Sequence, residues 1–172
     1  MSPTLPPDIV LPQMPMVIDG TAGTMITAYD GSDTATDFLR YDITNLGYYA
    51  LEEADLDRSA VIGVGGGRDV LAGLEFGADD VTGIEINGNI LDLITDELGD
   101  FTNLESDPRV NLVKDEARSW LTRTDQRFDV IQISLIDTWA ATAAGAFALT
   151  ENSLYTTDAW DVFFDRLEPG GM

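Results

Sequence analysis

Residues 60–71 (AVIGVGGGRDVL) constrain the fold of this chain more than any other stretch. A short apolar run leads into glycines and then into a helical pattern, which is typical of a buried parallel strand that turns into a helix facing a ligand. Gly63, Gly65 and Gly67 form a G-x-G-x-G pattern, whereas the dinucleotide fingerprint G-x-G-x-x-G would need a glycine where Arg68 stands. The pattern predicts a nucleoside-binding turn that does not hold the pyrophosphate of NAD. The alternative is a tight turn with a structural role alone.

An acidic residue lies near the end of the next predicted strand. Residues 80–87 (DVTGIEIN) have the apolar, β-branched character of a strand, with Glu85 close to its carboxyl end. In doubly wound sheets a carboxylate at this place accepts hydrogen bonds from ribose hydroxyls. We therefore predict that Glu85 binds a ribose. The alternative is a solvated acid at the end of a strand.

Strand and helix patterns alternate after the glycine turn. The helical patterns cover residues 69–76, 89–98, 116–121 and 157–167, and the strand patterns cover 81–86, 109–113 and 128–134. Together with the strand before the glycines, they predict an α/β fold with a doubly wound, mostly parallel sheet. In the last helix we expect Trp160, Phe163 and Phe164 to face the core.

The first part of the chain differs in composition from the rest. Residues 1–15 contain five prolines and predict an extended lead-in. Within residues 16–52, two short strand patterns, each closed by Asp-Gly, predict a small β-hairpin, and a weak helical pattern follows over 42–51. Residues 53–172 form the predicted nucleoside-binding domain. Because Pro-Gly-Gly after a helix normally introduces another strand, we expect the C-terminal strands of the sheet to be missing and the chain to be a fragment.

The composition excludes several kinds of site. The 172 residues include no cysteine and no histidine, which excludes disulfides, thiolate or imidazole metal ligands, and serine–histidine triads. Any proton transfer must use carboxylates, tyrosine, the single lysine Lys114 or water. No stretch reaches the roughly 18 apolar residues of a membrane helix, and no basic region precedes an apolar one at the N-terminus. We therefore expect a cytoplasmic protein that does not bind membranes.

The net charge of −22, from 31 acidic and nine basic residues, is extreme. It disfavours nucleic-acid binding, because contacts with phosphates need clustered lysine and arginine. Two interpretations remain. An acidic cleft would attract a cationic substrate, whereas an acid-rich, lysine-poor surface suits concentrated salt, where the Debye length falls to about 3 Å. The acids are spread along the whole chain, which favours adaptation to salt.

Several segments together resemble one protein family. They are residues 63–67, 85–87 (EIN), 115–118 (DEAR), 128–131 (FDVI) and 167–171 (LEPGG). This set resembles the spermidine synthase-like (polyamine aminopropyltransferase) branch of the S-adenosylmethionine-dependent methyltransferase fold. The predicted hairpin resembles the small β domain ahead of the catalytic domain of polyamine synthases. The resemblance implies a class I methyltransferase-like Rossmann domain, S-adenosylmethionine or its decarboxylated form as ligand, a small-molecule amine as the other substrate, and pairing into homodimers.

The resemblance also assigns roles to individual residues. The three glycines of the turn would approach the methionine part of the ligand, and Glu85 would hold its ribose. Glu116, with Asp115 as its neighbour and alternative, would lie beside the adenine amino group. The other interpretation of this acidic pair is capping of a helix N-terminus.

Departures from the family pattern concern catalysis. The family carries an aspartate in the glycine turn where this chain has Gly66, and Asp69 comes only later. At the end of the fourth strand the family has Asp-Ser-Ser-Asp-Pro or a close variant, and this chain has SLIDT, beginning at Ser134. Ser134 thus replaces the aspartate that deprotonates the amine, and without a histidine it is a poor base. We place Ser134 among the residues that bind the S-adenosyl ligand. We expect Asp137, with Asp69 as a second candidate, to bind or deprotonate the amine.

Three functions are compatible with these observations. The first is aminopropyl transfer to a polyamine, the second is methyl transfer from S-adenosylmethionine to a small acceptor, and the third is a non-catalytic nucleoside-binding domain. The long, small-residue-rich segment 137–152 is expected to fold over the site as a lid. Trp139, Phe147, Glu151 and Tyr155 would then line an acceptor pocket, and plain packing is the alternative for Trp139 and Phe147.

Overall fold

The computed structural model describes residues 5–9, 11–18, 22–51, 56–134 and 154–172. Its strands are β1 (Gln13–Ile18), β2 (Ala22–Thr27), β3 (Arg58–Ile62), β4 (Asp80–Glu85), β5 (Val110–Lys114) and β6 (Val130–Ile133). Its α-helices are α1 (Arg68–Glu75), α2 (Gly88–Asp92), α3 (Gly99–Thr102), α4 (Ala117–Arg123) and α5 (Thr157–Asp165). A π-helical turn, Leu93–Glu97, continues α2.

The central sheet is parallel, and its strands lie in the order β5-β4-β3-β6. Ile62 of β3 pairs with Ile84 of β4 on one side and with Ile133 of β6 on the other. The chain therefore proceeds outward from β3 to β5 and then crosses back to β6. The direction of winding reverses between β3 and β6, and ligands of open α/β sheets bind at such a switch point, outside the carboxyl ends of the strands.

Apolar clusters cover both faces of the sheet. One face packs α1, the α2 segment and the N-terminal residues around Val61, Val70 and Ile94. The other face packs α4 and α5 around Ile62 and Leu121. Parallel strands buried on both faces are the physical basis of a doubly wound sheet. The predicted fold class is thereby confirmed.

The N-terminal residues form an antiparallel hairpin and three short 3₁₀ helices. In the hairpin, Gln13 pairs with Thr27 and Met16 with Thr24, so β1 begins three residues earlier than predicted. The 3₁₀ helices are Asp33–Ala35, Asp37–Tyr41 and Ile43–Ala50, of which the sequence indicated only the last. The hairpin lies against the glycine turn, since the amide of Thr27 donates to the carbonyl of Gly66 at 3.0 Å.

Helix α5 corrects one prediction about the core. Phe163 is 2 % exposed, but Trp160 is 43 % and Phe164 62 % exposed. The inward-facing stripe is formed by Ala159 and Phe163, four residues apart, which pack with the α4 side of the sheet. Trp160 and Phe164 form the neighbouring stripe, and their rings contact each other at an angle of 38° with centroids 5.7 Å apart. The expectation that Trp160 and Phe164 face the core is therefore wrong.

The last residues of the chain run along the free edge of β6. The amide of Glu168 donates to the carbonyl of Phe128 at 2.9 Å, and the amide of Ile131 donates to the carbonyl of Met172 at 2.9 Å. These bonds continue the parallel pattern of the sheet. Among the described residues, no helix is both long and apolar enough to cross a lipid bilayer.

Candidate functional site

The glycine turn joins β3 to α1 at the carboxyl edge of the sheet. Gly63, Gly65 and Gly67 have φ angles of 84°, 51° and 87°, in the left-handed region that side chains disfavour. The turn is closed by a hydrogen bond of 2.9 Å from the amide of Gly67 to the carbonyl of Val64. Gly67 then occupies the N-cap of α1. A Cβ atom at Gly67 would lie 2.6 Å from Leu104, whereas one at Gly65 would meet nothing closer than 3.8 Å, so a ligand can approach the backbone at Gly65.

Gly66 is in contact with the hairpin rather than with the crevice. A Cβ atom at this residue would lie 2.0 Å from the carbonyl oxygen of Met25 and 2.8 Å from the Cα of Ile26. Because backbone atoms cannot move aside as a flexible side chain can, an aspartate has no room here. The hairpin also brings Thr24 to the turn, since its Oγ1 lies 3.8 Å from where a Cβ of Gly65 would be. No sequence pattern indicated this contact.

The carboxylate of Glu85 bridges the glycine turn and the end of β4. Its Oε2 accepts a hydrogen bond from the amide of Gly65 at 3.1 Å, and its Oε1 accepts one from the amide of Asn87 at 2.9 Å. The residue is only 6 % exposed. A carboxylate has about four acceptor positions, so each oxygen keeps capacity for a ligand hydroxyl. The glycine turn and the acid that the sequence singled out thus lie at one place.

Ile86 and Asn87 were missed as candidate site residues. Ile86 follows the buried Glu85 directly and is 69 % exposed. Asn87 caps α2 through its side-chain oxygen, which accepts from the amide of Asn89 at 3.1 Å. An exposed isoleucine beside the acid offers an apolar surface for a flat base. The signal in the sequence was an apolar residue placed directly after the acid at a strand end.

Asp115 and Glu116 lie where β5 leads into α4. Glu116 is the N-cap of α4 and accepts hydrogen bonds from the amides of Arg118 at 3.1 Å and Ser119 at 2.8 Å. Asp115 forms an ion pair with Arg123, and its own amide donates to the carbonyl of Glu85 at 3.1 Å. These contacts are those of the capping interpretation. The predicted adenine contact remains a prediction.

Ser134 follows β6 and lies at the switch point. Its Oγ accepts a hydrogen bond of 3.1 Å from the Nε2 atom of Gln132. The same nitrogen donates to Oδ1 of Asn45, also at 3.1 Å. Gln132 is 7 % exposed and Asn45 is fully buried. No pattern in the sequence singled out either amide.

Of the two predicted catalytic acids, the structure describes Asp69 but not Asp137. Asp69 lies in the first turn of α1, is buried, and accepts from Nε of Arg68 at 3.0 Å. Arg68 also reaches Oδ2 of Asp42 at 3.3 Å, so Asp69 belongs to an ion-pair cluster. Asp137 lies outside the described residues, as do Trp139, Phe147 and Glu151. Tyr155 is described and is half exposed.

A cavity of about 540 Å³ lies at the opposite edge of the sheet. Arg58, Arg127, Asp129 and Glu168 line it. Arg58 begins β3 and Asp129 directly precedes β6, so this cavity faces the amino ends of the strands. It is therefore separate from the crevice at the glycine turn.

Comparison with known proteins indicates one group of transferases. No protein-family model matches the chain. The chain is 23 % identical over 115 residues to the polyamine aminopropyltransferase of Thermoplasma volcanium. Spermidine synthase from Thermotoga maritima superposes with a TM-score of 0.55 at 16 % identity, over 85 % of this chain. A spermidine synthase in complex with the transition-state analogue AdoDATO superposes with a TM-score of 0.54, also at 16 % identity and over 85 % of the chain.

These superpositions show that the chain shares the fold of spermidine synthases. The matched region covers 65 % of this chain and 42 % of the Thermoplasma relative. The superpositions cover 45 % and 46 % of the two spermidine synthase chains. The chain thus spans less than half the length of these three relatives. In this spermidine synthase-like fold, the glycine turn and Glu85 lie at the switch point.

Proposed function

We propose that this chain binds an S-adenosyl sulfonium ligand in the crevice at the carboxyl edge of the sheet. The observation that carries the proposal is the contact between Glu85 and the amide of Gly65. It joins an acid of the second strand of the parallel sheet to a glycine turn with three left-handed residues. In this arrangement the ribose hydroxyls would donate to Glu85, and the turn would let the sulfur-bearing chain approach the backbone.

The residues around the crevice fit such a ligand chemically. Glu85 keeps free acceptor positions, and Ile86 offers an exposed apolar surface to the adenine ring. The hairpin residue Thr24 would close the turn on the side away from the sheet. Glu116 and Asp115 remain candidates for the adenine amino group if a ligand displaces one of their present contacts.

The reaction we propose is alkyl transfer from the sulfonium to a small amine. The first candidate is aminopropyl transfer to a polyamine. The amine lone pair attacks the carbon bonded to sulfur, the carbon–sulfur bond breaks, and its electron pair stays on sulfur as a neutral thioether. The amine loses one proton, and Asp137 is the proposed acceptor. Alignment of amine and sulfonium supplies most of the rate, because the thioether needs no acid to leave. Likeness to a polyamine aminopropyltransferase and to spermidine synthases supports this order of preference.

Methyl transfer is the second candidate, and two observations favour it. Gly66 has no room for the aspartate of the polyamine synthases. Ser134 stands in place of the other family aspartate and accepts from Gln132 instead of offering a base. The serine removes negative charge from the edge of the sheet where an aminopropyl ammonium group would lie. A methyl donor needs neither acid.

Calorimetric titration at molar KCl tests the binding proposal. We expect 5′-methylthioadenosine and S-adenosylhomocysteine to bind, and Glu85→Gln to weaken both by about tenfold or more, since a bond to a charged acceptor is lost. Glu105→Gln, an exposed acid, is the matched control and should leave both affinities unchanged. Melting curves of both variants separate lost binding from lost folding. Equal affinity of E85Q and the unmodified chain would refute the role of Glu85.

Mass spectrometry of products separates the two transfer reactions. Putrescine is offered with S-adenosylmethionine or with its decarboxylated form. Product heavier by an aminopropyl group supports the first candidate, and product heavier by a methyl group supports the second. Binding of 5′-methylthioadenosine without turnover of either donor would contradict both and leave a nucleoside-binding domain.

A further inference from the structure

A directed chain of hydrogen bonds runs from the N-terminal residues to the switch point. Nδ2 of Asn45 donates to the carbonyl of Leu39 at 2.9 Å, and Oδ1 of Asn45 accepts from Nε2 of Gln132 at 3.1 Å. Nε2 of Gln132 also donates to Oγ of Ser134 at 3.1 Å. The carbonyl of Leu39 can only accept, so it fixes the orientation of Asn45, which in turn fixes that of Gln132. Ser134 is therefore held as an acceptor toward Gln132.

This arrangement decides where the hydroxyl proton of Ser134 can point. Because Oγ faces a donor, the proton is directed away from Gln132, and acceptance of a hydrogen bond strengthens the hydroxyl as a donor. Gln132 pairs with Val61 and Ile133 pairs with Ile62, which places Ser134 alongside Gly63 at the start of the turn. The serine thus presents a hydrogen-bond donor at the edge where the sulfur-bearing part of the ligand would lie.

The hydrogen bonds of Gln132 are made by its side-chain NH₂ group and not by its side-chain carbonyl. Within the described part of the chain, its Oε1 is buried and has no hydrogen-bond partner. A buried unpaired carbonyl destabilises the fold, and an apolar residue of similar size would avoid that. The side chain that stands here instead supplies the NH₂ group that both Asn45 and Ser134 require.

Among the described residues, neither Gly66 nor Asp69 of the turn and the start of α1 offers a free carboxylate to an ammonium group. Gly66 has no room for a side chain, and Asp69 is paired with Arg68. Decarboxylation of the ligand removes its carboxylate and leaves an ammonium group on the aminopropyl chain. The hydroxyl of Ser134 is a hydrogen-bond donor, so it suits a ligand that carries a carboxylate.

We propose that Ser134, oriented by Gln132 and Asn45, donates a hydrogen bond to the carboxylate of an S-adenosyl amino acid and selects it over the decarboxylated form. This inference rests on the proposed binding of an S-adenosyl ligand. Of the two proposed reactions it favours methyl transfer, because the methyl donor keeps the carboxylate and the aminopropyl donor lacks it. Gln132 and Asn45 act as positioning residues, because they reach the ligand only through Ser134.

The test compares three thioethers by calorimetry at molar KCl. They are S-adenosylhomocysteine, its decarboxylated analogue, and 5′-methylthioadenosine, which lacks both the carboxylate and the amine. We expect S-adenosylhomocysteine to bind about tenfold more tightly than the decarboxylated analogue, as a hydrogen bond to a charged group predicts. Ser134→Ala should remove this preference and leave the affinity for 5′-methylthioadenosine unchanged.

Gln132→Glu reverses the hydrogen bond while keeping the shape of the side chain. Glutamate cannot donate, so Ser134 would donate to it and turn its lone pairs to the ligand. The preference should then fall to unity or favour the decarboxylated analogue. Gln126→Glu, in an exposed loop, is the matched control for the added charge and should keep the original preference. Gln132→Leu, which keeps the core filled, should weaken the preference without reversing it.

The outcomes separate this inference from the proposed function. No binding of any of the three thioethers refutes the proposed function itself. Binding of all three with equal affinity, or an unchanged preference in Q132E and S134A, refutes the inference and leaves the proposed function intact. Should Q132E fail to fold, S134A and Q132L still decide, because both replace a polar side chain by a smaller or an apolar one.

Discussion

Asp107 ties the N-terminal residues to the start of β5. Its Oδ2 accepts from Nη2 of Arg109 at 2.7 Å and from the hydroxyl of Tyr29 at 3.0 Å. The bonds from Arg109, followed by the one from Tyr29, lower the pKa of Asp107 from 3.8 to about 2 despite some burial. Burial and the neighbouring Asp107 raise the pKa of Tyr29, so its phenol stays protonated as a donor. The depressed pKa of Asp107 means that its ionised form stabilises the fold.

Asp107→Asn should therefore lower stability in a pH-dependent way. The contribution of an acid with a depressed pKa is fully present above its unfolded value near 3.8 and is lost as the pH falls through about 2. We expect a loss of about 1 kcal/mol between pH 5 and 7, reduced from the full shift because Arg109 is partly exposed. Urea unfolding at several pH values measures it, with the exposed Asp125→Asn as control. A difference that persists undiminished to pH 2.5 would contradict an effect of ionisation.

Single residues of the site differ in how far the sequence could identify them. Gly65 and Glu85 were predicted to meet because each lies at the end of a strand pattern, and parallel strands bring such ends to one edge. Asn45 and Gln132 are 87 residues apart, and their contact depends on how the N-terminal segment packs on the sheet. A buried amide in a strand pattern is not distinguishable from a surface one before that packing is known.

Contact between the hairpin and the glycine turn joins two elements that the sequence predicted separately. We expect Gly66→Ala to lower the free energy of unfolding by about 1–3 kcal/mol, since its Cβ would collide with the backbone of Met25. Gly66→Asp, which restores the family residue, should cost at least as much. Thermal unfolding followed by circular dichroism gives the comparison. Gly99→Ala is the control because a Cβ there meets nothing within 4 Å, and a stable Gly66→Asp variant would contradict the docking of the hairpin.

Helix α5 provides a matched pair of neighbouring phenylalanines. Phe163→Ala should destabilise the fold by about 3–5 kcal/mol, because its ring is buried in the α4 side of the core. Phe164→Ala should change stability by no more than about 0.5–1 kcal/mol, because its ring contacts mainly Trp160 on the surface. Chemical unfolding of both variants measures the difference. An equal loss of unfolding free energy in both variants would mean that Trp160 and Phe164 are also packed against the rest of the protein.

The same two phenylalanines show that periodicity predicted the position of α5 but not which of its faces is buried. Periodicity located α5 correctly, but Trp160 and Phe164 repeat with the same four-residue spacing as Ala159 and Phe163. The apolar residues therefore form two stripes, and only the surrounding core decides which is buried. The central strands were predicted within one or two residues because they are apolar and bounded by turns. The 3₁₀ helices before β3 were mostly missed, since segments of three to eight residues carry little periodicity.

Acidic residues greatly outnumber basic residues over the whole molecule. Within the described part of the chain, ion pairs engage five arginines, which are Arg40, Arg68, Arg109, Arg118 and Arg123. Most of the 31 acids must then remain without a basic partner, because the chain has only nine basic residues. One group of exposed acids lies around the α2–α3 segment, where Asp92, Asp96, Glu97, Asp100 and Glu105 are solvent-facing, and further exposed acids lie on other elements, such as Asp158, Asp161 and Asp165 of α5. The folded state therefore carries strong self-repulsion at low ionic strength.

Salt should relieve this repulsion and raise stability. Between 0.1 M and 1 M the Debye length falls from about 10 Å to about 3 Å, which is shorter than most distances between surface carboxylates. We expect the melting temperature to rise with KCl by about 4–8 °C or more, equivalent to about 2 kcal/mol. Differential scanning calorimetry from dilute to molar KCl measures the rise.

Two surface variants separate charge repulsion from a general effect of salt. Replacement of four exposed acids by their amides should raise stability in dilute salt and flatten the dependence on KCl; the variant is D96N/E97Q/D100N/E105Q. The matched control, D96E/E97D/D100E/E105D, keeps every charge at the same positions and should follow the unmodified chain. Because the two variants alter the same surface, any difference between them must come from charge. A melting temperature that does not respond to KCl, or identical curves for both variants, would show that the acids are tolerated without screening and that the excess of negative charge is not an adaptation to salt.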